Sequence, residues 1–113
     1  MCCGEGFLAV NPDAFASDFA ADAPKPVARF MALSQVPVAA EALHAKATVA
    51  AWKEKRATPV VSTQDRMINP DLERFMAKRA QSQVIELPGS HAISLTHARE
   101  VAALIEKAAT AAK

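Results

Sequence analysis

From Thr58 onward the apolar and polar positions fall into two alternating periods. Thr58-Pro59-Val60-Val61-Ser62-Thr63 and Gln83-Val84-Ile85-Glu86-Leu87 are short runs rich in β-branched residues, the second stopped by Pro88-Gly89, and each predicts a buried strand. Between them Asn69-Pro70 opens a helix, because Asn can cap the free backbone amides and Pro is tolerated in the first turn. Leu72, Phe75 and Met76 then predict its apolar face at i, i+3, i+4. Val101, Leu104, Ile105 and Ala108 repeat at helical spacing and predict a last helix, with Thr96 as its cap and Glu100 near the positive end of its dipole. The order is β-α-β-α. About two dozen residues separate the strand centres, enough for a crossover helix, so the strands should be parallel and the crossover right-handed.

The pattern before residue 57 is different. Residues 12–55 are Ala-rich and interrupted by Pro12, Pro24, Pro26 and Pro37, each suited to a helix start or stop and not to an interior. Short helices are expected over 12–21, 25–34, 37–45 and 48–54. Phe15, Phe19, Phe30, Met31, Leu33 and Trp52 supply the large apolar groups without forming a long stripe, so the segment reads as a cap that packs on something else. The chain therefore divides into a helical segment, 1–56, and a β-α-β-α part, 57–113, and its class is α/β.

Composition narrows the possibilities. Of the 58 hydrophobic positions 26 are Ala, which leaves 32 larger apolar residues and cysteines for a core in a chain of 113 residues, one domain's worth at most. A net charge of +1 provides no basic field for a phosphate backbone, so nucleic acid is disfavoured as a partner. No apolar run approaches the ~20 residues that span a bilayer, and no signal-peptide pattern opens the chain, so no membrane partner is expected and a cytoplasmic location is. Cys2 and Cys3 are adjacent, which suits neither an ordinary intrachain disulfide nor a metal site, and His44, His91 and His97 lack partners at ligand spacing. No metal and no cofactor is expected.

Candidate chemistry lies in two loops. In open α/β sheets functional groups gather beyond the carboxyl ends of the parallel strands, which share one edge of the sheet. The loop after the first strand carries Asp65, and the loop after the second carries His91. If the strands are neighbours at ~4.8 Å, a carboxylate and an imidazole in equivalent loops can reach hydrogen-bonding distance. An Asp so placed fixes the imidazole tautomer and stabilises its protonated form, the orienting half of a Ser-His-Asp triad. The bland alternative is that Asp65 caps a turn and His91 is solvated.

The segment STQDRMINPDLERFMAKRAQSQVIELPGSHAISLTHAREVAALI resembles the C-terminal part of an α/β-hydrolase, with Asp65 at the acid position and Gly89-Ser90-His91 in the histidine loop. It is most similar to small esterase-like members of the methylesterase and hydroxynitrile-lyase branch, through D-x-x-I at Asp65-Arg66-Met67-Ile68 and the loop Ser90-His91-Ala92-Ile93-Ser94-Leu95. The resemblance covers roughly residues 58–107, and residues 7–55 look more loosely like the helical lid such enzymes insert before the acid-bearing strand. It implies a partial α/β-hydrolase fold and hydrolysis of a small ester or similar acyl substrate, with Asp65 and His91 as acid and histidine and no cofactor.

One part of the family's pattern is missing. These enzymes carry the nucleophile on a G-x-S-x-G elbow, before the acid and the histidine. The glycines are Gly4, Gly6 and Gly89, and none flanks a serine in that pattern. Ser90 adjoins His91, Ser62 lies in the strand, Ser17 and Ser34 lie in the lid-like segment, and no strand precedes Cys3. The chain reads as a hydrolase without its first half, inactive alone and completed by an N-terminal half. A non-catalytic remnant that binds a partner or self-associates, and an unrelated α/β module, are the alternatives. An open strand edge beside exposed Phe15, Phe19, Phe30 and Trp52 predicts a homo-oligomer or a loosely packed monomer.

Overall fold

Residues 6–111 are described by a computed structural model. Cys2, Cys3 and Gly4 lie outside them. The second half folds as β3 (Val60–Ser62), α4 (Pro70–Arg79), β4 (Ile85–Leu87), α5 (Ile93–Thr96) and α6 (Ala98–Ala111). Strands β3 and β4 pair in parallel, in the register Val60 with Ile85, Val61 with Glu86 and Ser62 with Leu87. The strands are shorter than the β-branched runs. Pro59 has no N–H to give to a ladder, but its carbonyl still accepts from the Ile85 amide at 3.2 Å.

Helix α4 begins as its sequence dictates. The Asn69 side chain accepts from the Asp71 amide at 2.9 Å and Pro70 occupies the first turn. The face it buries differs from expectation. Leu72, Phe75 and Met76 are all about half exposed or more, and Ala77 is the residue buried as α4 packs on β3. A small side chain lets helix and strand backbones approach closely, which leaves the larger apolar side chains outside the contact. Arg74 reaches from α4 to β4, donating through Nε and one terminal nitrogen to the two Glu86 oxygens at 2.8 Å each.

The first half contains β1 (Phe7–Leu8), α1 (Pro12–Asp18), α2 (Lys25–Leu33), β2 (Val38–Ala39) and α3 (Ala40–His44), followed by one 3-10 turn at Ala51–Lys53. Helices at Pro12 and Lys25 agree with the proline signals. The helix expected over 37–45 begins only at Ala40, because Pro37 favours extended backbone before it and Val38-Ala39 pairs antiparallel with Phe7-Leu8. The Gln35 side chain reinforces this corner by accepting from the Val10 amide at 2.9 Å and donating to the Val10 carbonyl at 3.0 Å. The helix expected over 48–54 is reduced to the 3-10 turn.

The core joins the two halves. Phe15, Ala20, Ala28 and Ala32 are buried with Ala92 of the histidine loop, and Val10, Phe19, Ala23 and Met31 pack around them. The exposed-aromatic expectation is therefore wrong for Phe15, which is buried, and for Phe19, which is half-buried and stacked on it with ring centroids 4.7 Å apart. It holds for Phe30, 72% exposed on the outer face of α2.

Candidate active site

Backbone hydrogen bonds join the loops that leave β3 and β4. The Thr63 amide donates to the Leu87 carbonyl at 3.0 Å and the Gln64 amide to the Gly89 carbonyl at 3.1 Å, so the parallel ladder continues past the strand ends. The chain after β3 then turns sharply, the Asp65 amide donating to the Ser62 carbonyl at 3.1 Å. This brings Asp65 beside His91. Asp65 Oδ2 lies 2.7 Å from His91 Nδ1, and the two side chains are 3% and 29% exposed.

The two Asp65 oxygens have separate partners. Oδ1 accepts from the Met67 amide at 2.7 Å and the Ile68 amide at 3.0 Å, which fixes the carboxylate plane, while Oδ2 faces the imidazole. Turn capping and histidine pairing were alternatives in the sequence, and here one side chain does both. A carboxylate only accepts, so Nδ1 carries the proton and the neutral ring presents its lone pair at Nε2. Among the described residues His91 Nε2 has no hydrogen-bond partner. The ring also meets Phe19 edge-on, with centroids 4.6 Å apart at 63°.

No serine among the described residues hydrogen-bonds to His91. Ser90 is 1% exposed and its hydroxyl is directed to the Phe19 carbonyl, at 3.1 Å, and to Asp22. Ser62 is 4% exposed inside β3. Thr96, expected to cap the last helix, instead ends α5 and donates to Asp22 Oδ2 at 2.7 Å. Burial works to raise the Asp22 pKa, but hydrogen bonds from Ser90, Thr96 and backbone amides outweigh it and hold the carboxyl below its ordinary range.

A second carboxyl group stands near the pair and was not anticipated. Glu73 Oε2 is buried without a partner. Burial first, and the charge of Asp65 second, push its pKa up, against partial relief from the Ser62 backbone, His91 and Arg74. Glu73 stands at i, i+4 spacing with Ala77 on the stripe that α4 buries, beside the stripe of larger apolar residues, and that spacing is its one signal in the sequence. Glu73 also lines a cavity of about 350 Å³ with Trp52, Val60, Val61 and Met76. Neither Asp65 nor His91 lines it. Phe19 and Asp22 lie about 70 positions from the loop they touch, and no local pattern announced them.

Among the described residues no group of three His, Cys, Asp or Glu side chains could hold a metal ion, and no helix is long and apolar enough to cross a membrane. The family model described as Alpha/beta hydrolase family matches residues 4–104, running through both the helical and the β-α-β-α segments. No curated protein and no solved structure matches the chain significantly.

Proposed function

The chain belongs to the α/β-hydrolase family, and from that premise we propose that it supplies the acid and histidine of an esterase-like site acting on a small ester or similar acyl substrate. The observation that carries this is the 2.7 Å contact between Asp65 Oδ2 and His91 Nδ1, which leaves Nε2 unpartnered. In this role His91 Nε2 takes the proton of an attacking hydroxyl and returns it to the leaving group, while Asp65 holds the tautomer and stabilises the imidazolium. The helical segment acts as the lid over the histidine, as the Phe19 ring beside it suggests.

The nucleophile is the missing part. None of the serines among the described residues stands in G-x-S-x-G, so the reading requires a nucleophile and oxyanion donors from outside residues 6–111, in the same polypeptide or one bound to it. Alone, the chain should hydrolyse a nitrophenyl acetate no faster than its His91→Ala variant. The decisive experiment treats the native gene product with a serine-directed fluorophosphonate and locates the label by mass spectrometry. Label on a serine in G-x-S-x-G, with ester turnover slowed roughly 10⁴-fold by Asp65→Asn, supports the proposal. Label and turnover indifferent to both Asp65→Asn and His91→Ala overturn it.

The exposed side chains of Phe30, Leu33, Val36 and Phe75 favour a second reading, a hydrolase relative that acts as a binding or self-association module. It predicts assembly that is unaffected by His91→Ala.

A further inference from the structure

The corner between α1 and α2 holds the histidine loop at several points. The Phe19 carbonyl accepts from the Ala92 amide at 2.9 Å and, 3.1 Å from Ser90 Oγ, shares that hydroxyl's single proton with Asp22, and the Phe19 ring lies against the imidazole. Three residues further on, the two Asp22 oxygens divide between two hydroxyls: Ser90 donates to Oδ1, and Thr96 donates to Oδ2 at 2.7 Å. Ser90 Oγ also accepts from the Ala92 amide at 3.3 Å. These contacts bracket His91 in the chain, with Ser90 before it and Ala92 and Thr96 after it.

The loop is shaped to admit this carboxylate. Gly89 is buried, and a Cβ there would collide with Ile93 Cδ1 and stand 3.0 Å from Asp22 Oδ2. Any larger residue would force the Asp22 side chain and Ile93 apart. A further link, between Arg66 Nε and Asp18 Oδ1 at 3.9 Å, joins α1 to the loop that carries Asp65. Asp65 itself restrains His91 through Nδ1 alone. One hydrogen bond leaves a ring free to swing about the bond's axis and leaves its loop free to carry it away, so further restraint comes from the Phe19 ring against the imidazole and from the backbone on either side.

We propose that Asp22 is a positioning residue for His91: by holding Ser90 and Thr96 on the two sides of the histidine, it keeps the imidazole against Asp65 and makes the α1–α2 corner part of the acid–base site. For catalysis the inference rests on the hydrolase reading above; its effect on the ring can be read without any activity.

The test is nitrogen NMR of the chain labelled at histidine, at alkaline pH where the rings are neutral, with His91 assigned by its loss in His91→Ala. The unsubstituted chain should show His91 as the Nδ1–H tautomer, with Nε2 unprotonated. In Asp22→Ala the ratio of Nδ1–H to Nε2–H should fall roughly fivefold, the weight of one net hydrogen bond. Asp22→Asn keeps one acceptor oxygen and should retain most of the ratio. A purely structural role would lower the unfolding midpoint of Asp22→Ala and leave the His91 tautomer where it was, and that result overturns the proposal. If Asp22→Ala fails to fold, Asp22→Asn and Thr96→Val decide: a smaller shift in the same direction in both supports the proposal, and no shift in either overturns it. Asp65→Asn serves as the control. A tautomer in the unsubstituted chain that ignores Asp65→Asn shows that the Asp65–His91 pairing itself has failed, an outcome distinct from loss of the Asp22 effect alone.

Discussion

Asp65 and Glu73 are carboxyl groups in adjacent elements with opposite provisions. Asp65 has two backbone amides and an imidazole for its oxygens, whereas Glu73 has a buried oxygen with none. A carboxylate oxygen buried without a donor is costly, and a second negative charge nearby increases that cost, which the Ser62 backbone, His91 and Arg74 offset only in part. Because the Glu73 pKa is raised in the folded chain, the native state binds the proton more tightly than the unfolded state does. Stability from this group is therefore fully present below the ordinary glutamate value of 4.5 and is lost as pH rises through the raised one. Asp22, with its lowered pKa, runs the other way: its contribution is present above the ordinary value of 3.8 and is lost as pH falls through the lowered one. Replacing Glu73 with Gln should thus raise the thermal midpoint at pH 7, and the gain should vanish below about pH 4.5. Calorimetry of Glu73→Gln across that range checks it; a midpoint lower than that of the unsubstituted chain at pH 7 would show that the Glu73 charge is stabilising.

Helix α4 shows what one element discloses in its sequence and what it conceals. Its start was legible because Asn69-Pro70 acts locally: the cap and the first turn need only residues two or three positions apart. Its end was not. Gln81 sits at φ 52°, in the left-handed region, where its amide donates to Lys78 and the next amide, Ser82, donates back to Ala77. That closing motif usually employs Gly, since a Cβ there costs about 1 kcal/mol. Gln81→Gly should therefore stabilise the chain by a net amount below about 1 kcal/mol, since the freedom Gly adds to the unfolded chain offsets part of the relieved strain, read as a shifted urea midpoint with an unchanged slope. The same contrast runs through the other elements. The parallel pairing of β3 and β4 and the meeting of Asp65 with His91 were legible because strand order and equivalent offsets place both loops at one edge. The buried Ala77 stripe, the Val38-Ala39 strand and the Phe19–Asp22 corner were not, because each is decided by a partner distant in the chain.

At the scale of the whole molecule, the core is mostly alanine, and the surface shows the consequence. Beyond Phe15 and Val61, the buried hydrophobic residues among those described are Ala20, Ala28, Ala32, Ala77 and Ala92. The accessible surface is 8573 Å² for a chain of 12.0 kDa, where a compact monomer of that mass exposes about 6,000 Å². The radius of gyration, 15.7 Å, likewise exceeds the ~13 Å of a compact chain of this length. The excess, roughly 2,500 Å², is larger than the 1,200–2,000 Å² that a specific interface buries in total. Its apolar part is grouped: Phe30 and Leu33 on α2 with Val36 just beyond, and Leu72, Phe75 and Met76 on α4, are all about half exposed or more. Among the described residues β3 and β4 each pair on one side only, so each strand also presents an edge of unpaired backbone groups. Association is the direct way to cover both. Sedimentation at tens of micromolar should therefore show a dimer or larger species, and Leu33→Glu or Phe75→Glu should shift it towards monomer, with binding of a hydrophobic dye as the uncovered faces meet solvent. A compact monomer that unfolds cooperatively and binds no dye would mean that these helices close over one another in solution, and the exposed faces of α2 and α4 would then belong to an interior.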